Sequence, residues 1–450
     1  MQTTTTIDGV LSTGDHKGHV PLRFQVPPGT TRLEAVFTAE PERAAGALFD
    51  NLISLAVEAP GGWRGARHNN PDRAIRLDAG AATPGFRPGP IEPGTWTVWL
   101  DVFRLLGPDP VRYRLEVTAS DEVVTASPLP GGALVHDRGP GWYRGDLHAH
   151  TLHSDGDWDV AGLIAFARAQ RLDFLTLTDH NTVSGIAELE GLAAGDILPM
   201  GGVELTTHFG HALVLGTRAW EEWRANSMAG VAMPALCEAR TREGKLFVIA
   251  HPMSPGDPAC TGCRWDYADM RPGPAGAVEI WNGPWSDYNE DGLAVFRDWL
   301  TQTWQGEGRR LVATAGTDIH GPDDAGRRHG FNLVRAAGLS EAAILAGIAA
   351  GRNILTAGPS LAVSATGADG AKAGVGDVIE GRTAELRVAA PDAPAGATLR
   401  VVQDGTALWT GDGAGASLRL SADRPSWIMV ELRDADGAAL AIANPIFLAP

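Results

Sequence analysis

Hydrophobic and polar positions divide the chain into three parts. As far as residue 135, short apolar runs such as TRLEAVFTA and VRYRLEVTA alternate with polar positions, and turn sequences such as PPGT and GPDP separate them. Alternation with a period of two, bounded by Gly and Pro, predicts β-strands. We therefore expect a β-sandwich over residues 1–135, with ASPLPGG (126–132) as a linker near its end.

Over residues 136–358, strand-like runs alternate with helical ones. Helical periodicity is present in VAGLIAFARAQR, AGVAMPALCEARTR, DGLAVFRDWLTQTW and SEAAILAGIAA. Seven other runs have the length and apolar character of buried strands: GWYRGDLHA, DFLTLTDH, LPMGGVELT, HALVLG, KLFVIAHP, AVEIWNG and RLVATAGTD. Such alternation is typical of βα units, and a small α/β barrel is the simplest arrangement.

Residues 359–450 return to the β pattern. Runs such as AELRVAA, TLRVVQDG and WIMVELRDADG are separated by tight turns and predict a small immunoglobulin-like β-domain. The fold class expected for the whole chain is multidomain, α/β plus all-β, with a barrel flanked by two β-domains.

The chain is acidic, and this limits its partners. Its 450 residues carry a formal net charge of −17, which argues against binding to nucleic acid or to an anionic membrane surface. No run reaches the roughly 18 apolar residues of a membrane span, and the first residues lack the pattern of a signal peptide. We expect a cytoplasmic protein that acts on a small molecule, with homo-oligomerisation left open.

The residues that carry chemistry cluster at the predicted barrel strand ends, where α/β barrels build their active sites. Nine of the thirteen histidines lie between residues 148 and 329, so they concentrate in the barrel. Imidazole and carboxylate groups are ligands for zinc, manganese and iron. Residues i and i+2 of a strand face the same side, so His148 and His150 can reach one ion. The pattern therefore predicts a metal centre.

The motifs resemble those of the PHP (polymerase and histidinol phosphatase) superfamily. DLHAHTLHSDG, LTDHN, GVELTT, HALVLG, AHP and GTDIHG stand in the order of that family, between residues 143 and 357. The resemblance implies a distorted (β/α)7 barrel, which agrees with the seven strands counted above. A closer resemblance, to the subgroup that includes bacterial carbaryl hydrolases, rests on VELTTHFGHALVLG, EIWNGPW, LAIANPIFLAP and the flanking β-domains.

Carried over motif by motif, the resemblance implies two or three divalent ions, which would be Zn, Mn or Fe. A first ion would have the ligands His148, His150, Glu204 and Asp318. A second would share Glu204 with the first and be completed by His211 and His251. A third would have the ligands Asp155, His180 and His320, which would also be the catalytic residues.

A metal centre of this kind implies hydrolysis. A hydroxide that bridges the ions would attack phosphorus or an acyl carbon without a side-chain nucleophile, and the motifs of rival mechanisms (GxSxG, the P-loop, the Rossmann fingerprint) are missing from the sequence. Three divalent ions outweigh three carboxylates, so we expect an anionic ester and favour a phosphoesterase acting on small phosphomonoesters or phosphodiesters. A carbamate or carboxylic ester hydrolase is the alternative, and a non-catalytic, metal-stabilised binding module is a second one.

Other polar residues near the motifs are candidates for substrate binding, although ordinary polar contacts explain them equally well. These candidates are His208, Asn282, Arg327 and Arg328. Arginine would suit a phosphate group, because its guanidinium binds oxyanions bidentately. Cys260 and Cys263 form an isolated CxxC, for which a turn or a local disulfide is favoured over a metal site.

Overall fold

The computed structural model describes residues 2–122, 138–193, 195–225 and 232–450. The linker expected at 126–132 and the boundary expected at 135 lie outside the described residues. Within those ranges the chain is mostly β-sheet, with only a few helices.

The first eight strands form two antiparallel sheets, with the orders β1-β8-β3-β6 and β2-β7-β4-β5. They are β1 (Gln2–Leu11), β2 (Gly18–Val26), β3 (Arg32–Glu40), β4 (Leu52–Ala59), β5 (Gly62–Arg67), β6 (Ala74–Asp78), β7 (Gly94–Arg104) and β8 (Val111–Ser120). Buried and exposed residues alternate along β3, so one face of its sheet turns towards an apolar core. Trp96 and Leu115 are fully buried in that core, which both sheets share.

The described residues in the middle of the chain form ten strands and five α-helices, the fourth of which continues into a short π-helix (Gln302–Gly306). In chain order they are β9 (Gly141–Asp146), α1 (Val160–Ala169), β10 (Phe174–Thr176), α2 (Ile186–Leu192), β11 (Leu198–Met200), β12 (Glu204–Thr206), β13 (His211–Leu215), α3 (Met233–Arg242), β14 (Leu246–Ile249), β15 (Ala277–Asn282), α4 (Asp287–Thr301), β16 (Val312–Gly316), β17 (Phe331–Ala336), α5 (Glu341–Ala349) and β18 (Asn353–Thr356). Four of the helices overlap the helical runs expected from the sequence. The short helix α2 was not expected, and its first turn has no side-chain cap.

Two sheets bring the histidine-bearing strand ends together. Strands β9, β10 and β11 are parallel neighbours in one sheet, and β12 to β16 follow one another in a second. Isolated parallel bridges join the two sheets, one between Ala149 and Ile319 and one between His180 and Glu204. These bridges lie just beyond the ends of β9, β10 and β16. The strand ends of both sheets therefore meet around one site.

The regular βα alternation expected from the sequence is wrong for part of this region. The run LPMGGVELT forms two strands, β11 and β12, rather than one. Residues 207–210 are too short a link for a crossover, so β12 and β13 pair antiparallel. Strands β13 and β14 are also antiparallel. Two further strands that the pattern did not indicate, β17 and β18, continue the first sheet beyond β9.

Some of the C-terminal strands extend that first sheet without a break, and the others form a sheet of their own. The C-terminal strands are β19 (Ala362–Gly367), β20 (Lys372–Gly374), β21 (Val378–Glu380), β22 (Thr383–Ala389), β23 (Thr398–Gln403), β24 (Thr406–Asp412), β25 (Gly415–Ser421), β26 (Ser426–Arg433) and β27 (Ala439–Ala449). Strand β27 pairs antiparallel with β18, and the Asn444 side chain donates to the Asn353 carbonyl and accepts from the Ala313 amide. A separate four-stranded sheet, β20-β19-β22-β25, packs on this part through a shared apolar core.

Helix α1 packs its apolar side chains against the first sheet. Asp159 begins α1, and its carboxylate accepts a hydrogen bond from the Gly162 amide at 2.8 Å, as expected of an N-cap. Leu163 and Ile164 on its inner face are buried. Among the described residues, no helix is long and apolar enough to cross a membrane.

Candidate metal centre

Glu204 lies at the centre of a buried cluster of imidazoles. It is the first residue of β12, where the bridge to His180 brings the two sheets together. Its carboxylate oxygens lie between 2.8 and 3.3 Å from ring nitrogens of five histidines: His148, His150, His180, His211 and His251. The five rings come from four strand ends, because His148 and His150 follow the same strand. A carboxylate among so many imidazoles, with almost no solvent, is a typical setting for divalent metal ions.

Two groups of ligand atoms overlap at this point. His148, His150, Glu204 and Asp318 form one group, and His180, Glu204 and His211 form another. Within the first group, Asp318 Oδ1 lies 2.9 Å from His150 Nε2 and 3.2 Å from His148 Nε2. The first group contains the four residues expected to hold the first ion. In the second, His180 takes the place expected for His251, which instead lies with His148 and Glu279.

A further group surrounds Asp155 near the open side of the cluster. It contains His150, Asp155, His180 and His320. Asp155 Oδ1 lies 3.4 Å from both His180 Nε2 and His320 Nε2. The His320 side chain is 32% exposed, whereas those of His180 and His150 are 7% and 0% exposed, so His320 is the imidazole of this group that is open to solvent. The three residues expected to hold a third ion are therefore neighbours, with His150 beside them.

Three of the rings are oriented by acceptors that hold their Nδ1 atoms. His148 Nδ1 lies 3.0 Å from Glu279 Oε1, His251 Nδ1 lies 3.2 Å from the Cys263 carbonyl oxygen, and His320 Nδ1 lies 2.8 Å from the Asp318 carbonyl oxygen. A ring that donates from Nδ1 keeps Nε2 as its free lone pair. In all three residues Nε2 is the atom that faces the shared carboxylates.

The pKa values of these groups follow from burial and from the charges they face. Burial lowers the pKa of His211 to about 4, although Glu204 lies beside it. Burial also lowers the pKa of His320, but Asp155 and Asp318 outweigh it and raise that pKa to about 10. Burial raises the pKa of Glu204, yet the surrounding imidazoles hold it well below its usual value. The Glu204 carboxylate is therefore ionised, as a metal ligand must be.

The cluster fits divalent ions better than it fits a set of hydrogen bonds. Within the described part of the chain, several buried atoms lack a hydrogen-bond partner of good geometry: His148 Nε2, both ring nitrogens of His150, Asp155 Oδ1, Glu204 Oε2 and His211 Nε2. Buried polar atoms without partners are costly and rare. One nitrogen of His150 carries the proton of that ring, and the other atoms are lone-pair donors of residues in the overlapping ligand groups, so ions bound by these groups would satisfy them.

Glu279 is a member of the centre that the sequence analysis did not single out. It is fully buried in β15, faces His148 Nδ1, and accepts from the His251 amide and from Asn282 Nδ2. Its signal in the sequence is a charged residue inside the otherwise apolar run AVEIWNG, which reads equally well as the edge of a strand. The geometry gives Glu279 the task of orienting His148 and His251.

Two other aspartates fix the loops that carry ligands. Asp146 accepts from the amide of Thr317 at 3.0 Å and from that of His148 at 3.3 Å, which ties the end of β9 to the segment before Asp318. Asp179 accepts from the Thr151 amide at 2.8 Å and from Ser154 Oγ at 2.7 Å, which holds the loop between His150 and Asp155. His153 lies apart from the cluster, beside Ser184 and Glu188.

The N-terminal sheets complete the wall of the site. A cavity of about 200 Å³ opens beside the cluster, and its lining includes His68, Asn69 and Arg104 as well as the candidate ligands. The His68 ring is buried and lies 4.8 Å from the His180 ring, centroid to centroid. Asn69, with a φ of 47°, points its amide towards Asp155. The strand pattern that identified this region contains no signal for these three residues.

The four residues expected to bind substrate are not among the described residues that line this cavity. His208 is buried between His19 and Phe103, with ring centroids 4.7 Å from each. Asn282 donates to Glu279 and to Asp318 Oδ2, so it helps to orient ligands. Arg327 pairs with Asp324 and Arg328 with Asp434, and both guanidinium groups are about half exposed. These aspartates hold both arginines in a loop that faces solvent.

The CxxC segment forms the rim of the cavity. Cys260 and Cys263 are joined in a local disulfide, one of the two arrangements expected from the sequence. Both residues line the cavity, and the Cys263 carbonyl is the acceptor that orients His251. Cys237 is a free thiol buried on α3.

Replacing Glu279 by glutamine is expected to weaken metal binding about 10- to 100-fold, because the charged acceptor of His148 is lost while the side chain keeps its shape. The measurement is a titration of the metal-free protein against a chelating dye that reports free zinc or manganese. An unchanged affinity would mean that Glu279 does not orient the ligands, and unchanged turnover at saturating metal is the control for folding.

Comparisons with known proteins give low similarity. No protein-family model and no curated protein matches the sequence. Among solved structures, a two-domain protein from Bacteroides vulgatus containing a predicted PHP-like metal-dependent phosphoesterase shares 14% identity over 71% of this chain and 100% of its own, with a TM-score of 0.38. An amidohydrolase from Chromobacterium violaceum shares 18% identity over 40% of this chain and 89% of its own, with a TM-score of 0.29. The chain is similar to both.

Proposed function

We propose that the protein is a metal-dependent phosphoesterase that hydrolyses small phosphomonoesters or phosphodiesters. The observation that carries the proposal is the group of buried imidazoles and carboxylates around Glu204, beside a cavity open enough for a small substrate. Two or three divalent ions of zinc, manganese or iron would occupy the overlapping ligand groups. His148, His150, Glu204 and Asp318 would hold one, and Asp155, His180 and His320 another. Glu204, His211 and His251 would hold the remaining one, supported by ring nitrogens 2.8 and 3.1 Å from Glu204 Oε1, although His180 groups more closely with Glu204 and His211.

The architecture proposed for this function is a distorted (β/α)7 barrel of PHP type over residues 136–358, flanked by β-domains at 1–135 and 359–450. The two bridges that bring the strand ends of separate sheets together support it. A relationship to the carbaryl-hydrolase-like subgroup would account for the flanking sheets.

The charge of the site supports an anionic substrate. Four buried carboxylates belong to the centre, namely Asp155, Glu204, Glu279 and Asp318. With three divalent ions the site would keep a net positive charge, and with two it would be neutral. Because the surrounding protein is acidic, a positive site would attract a phosphate ester mainly at short range. Full loading therefore favours phosphate esters over neutral carbonyl esters.

Bound divalent ions supply two things to ester hydrolysis: they lower the pKa of a coordinated water and they stabilise negative charge on the substrate oxygens. The chain's own residues do the rest. Glu279, the Cys263 carbonyl and the Asp318 carbonyl fix three imidazoles in one tautomer. His68 and Leu52 line the cavity on the side of the N-terminal sheets.

His320 is the residue best placed to move a proton. It is the most exposed imidazole of the Asp155 group, it lines the cavity, and its Nε2 is free of backbone partners because Nδ1 is held by Asp318. When the Asp155 group holds no ion, an imidazole in this position can transfer a proton to or from a group in the cavity at Nε2. When an ion is bound there, the same atom would be its ligand. Asp155 lies 3.4 Å from the same atom and would balance the charge.

The alternative reaction, hydrolysis of carbamates or carboxylic esters on the same centre, draws support from the position of the arginines. Arg327 and Arg328, the cations expected to favour phosphate, are held by aspartates away from the cavity. The two reactions therefore differ chiefly in the charge of the substrate, which is negative for phosphate esters and neutral for carbonyl esters.

A panel of substrates separates these reactions. The protein is prepared with manganese or zinc and assayed against phosphomonoesters, phosphodiesters, carboxylic esters and aryl carbamates. We expect turnover of phosphate esters that is lost with a chelator and in the variant His148→Ala. Turnover of carbonyl esters alone would establish the alternative. Two or three bound ions per chain with no turnover in the panel would contradict both and leave a binding module.

A further inference from the structure

A second cavity adjoins the one beside the metal centre. It has a volume of about 430 Å³, and its lining comes from two segments, within 42–53 and within 69–73, and from Arg104. Leu52, Asn69 and Arg104 line both cavities, so the two lie side by side with these residues as their shared wall. The inner cavity, at about 200 Å³, has room for little more than the reacting group. Any larger part of a substrate would extend into the outer cavity.

The wall between the two cavities is held firmly against the metal-binding loops. Asn69 Nδ2 lies 3.5 Å from Asp155 Oδ2, and Asn70 Nδ2 donates to the Ser154 carbonyl at 2.9 Å. Arg104 Nη1 donates to the Pro258 carbonyl at 2.8 Å, which fixes the loop before the disulfide. The outer cavity is therefore positioned by direct contacts with the loops that carry the candidate ligands.

The outer cavity is polar and close to neutral. It contains three arginines and two acidic residues, and each guanidinium is engaged. Arg43 pairs with Asp50, with Nε 2.6 Å from Oδ1, Arg73 lies over the Phe37 ring, and Arg104 donates to backbone carbonyls. Because the three arginines of the described lining face two carboxylates, those of Glu42 and Asp50, the cavity has little charge with which to attract an additional anion. A purely apolar group would leave the polar side chains without partners, which is costly.

The same lining is well suited to hydroxyl groups. Amide, carboxylate and guanidinium groups offer donors and acceptors side by side, and hydroxyls can both donate and accept. Phe49 supplies one aromatic ring, stacked 5.3 Å from the Arg104 guanidinium, against which C–H groups can pack. A neutral sugar or polyol matches this combination better than an aryl ring does.

We propose that this outer cavity is the leaving-group subsite and that it selects esters of polyhydroxylated alcohols, such as sugars or polyols. The inference rests on the proposed function, since it assigns the part of the ester that departs. It gives the N-terminal sheets a role in specificity: the ions act on the ester group in the inner cavity, and residues 42–53 and 69–73 hold the alcohol.

The test compares two esters of one acid that differ in the alcohol: glucose 1-phosphate and phenyl phosphate, or the acetyl esters of glucose and of phenol if only carbonyl esters are turned over. In Arg43→Ala and Phe49→Ala, we expect kcat/KM for the glucose ester relative to the phenyl ester to fall about tenfold, through KM, because uniform binding is lost. The matched control is Arg114→Ala. Arg114, on β8, is paired with Asp8 on β1, and its side chain is as exposed as that of Arg43.

The outcomes distinguish this inference from the function on which it rests. Lack of turnover with any ester would overturn the proposed hydrolysis and the subsite with it. Turnover in which the selectivity ratio is the same in Arg43→Ala, Phe49→Ala and the unchanged protein would overturn the subsite alone. A preference of the unchanged protein for the phenyl ester would likewise overturn it.

Discussion

Replacement of Glu204 by glutamine is expected to lower kcat on the order of 10³-fold or more, because the metal contribution to such reactions amounts to several kcal/mol. Glu204 belongs to two of the overlapping ligand groups, and its carboxylate faces five imidazoles. Glutamine has nearly the same shape but no charge, so it would leave these imidazoles without their shared partner.

The same variant is expected to lose ions selectively. The group formed by His150, Asp155, His180 and His320 does not include Glu204 and should retain about one ion per chain. Elemental analysis of the purified variant measures this directly. The matched control is Glu221→Gln, since Glu221 is also buried but bonds to Thr217 and Arg240 away from the centre. Full metal content together with full activity in Glu204→Gln would contradict the assignment.

Removal of the ions with a chelator is expected to abolish activity and to lower the melting temperature by several degrees. A ligand present at about 1,000 times its Kd stabilises the folded state by about 4 kcal/mol, and a change of 1 kcal/mol shifts the melting temperature by roughly 2–4 °C in larger domains. The physical reason is the set of buried lone pairs that lack good hydrogen bonds when ions are absent.

Differential scanning calorimetry before and after chelation measures this shift, and addition of zinc or manganese should restore both properties. In His148→Ala, which lacks a ligand of the first group, the difference between the two states should be smaller. An identical melting temperature with and without metal in the unchanged protein would show that the cluster is stable without ions.

The sequence was most informative where a local pattern has one structural meaning. His148 and His150, two residues apart at the end of a strand, do share one face and reach the same carboxylates. Asp318 and His320 also lie at one site. The first pair could be predicted because residues i and i+2 of an extended segment face the same side. The second pair lies beyond β16, where Asp318 has a φ of 48°, so strand geometry does not account for it.

Contacts between distant segments could not be predicted in this way. Glu279 orients His148 across β15 and β9, and Asn69 reaches Asp155 from the N-terminal sheets. Neither contact leaves a periodic signal, because each depends on how separate sheets pack. The antiparallel pairing of β12 with β13 follows from a short link that is visible in the sequence, but its effect on the strand order requires the neighbouring strands as well.

The long sheet that joins β18 to β27 can be completed only late in synthesis of the chain. Strand β18 continues the sheet that holds β9, yet its partner β27 is translated only after all the strands between them. Until then β18 presents an unpaired edge, which is a site where strands of other chains can add. Asn444, which bonds to both Asn353 and Ala313, arrives at the same late stage. On the ribosome, the sheet that carries His148 and His150 therefore becomes complete only when synthesis has reached these last strands.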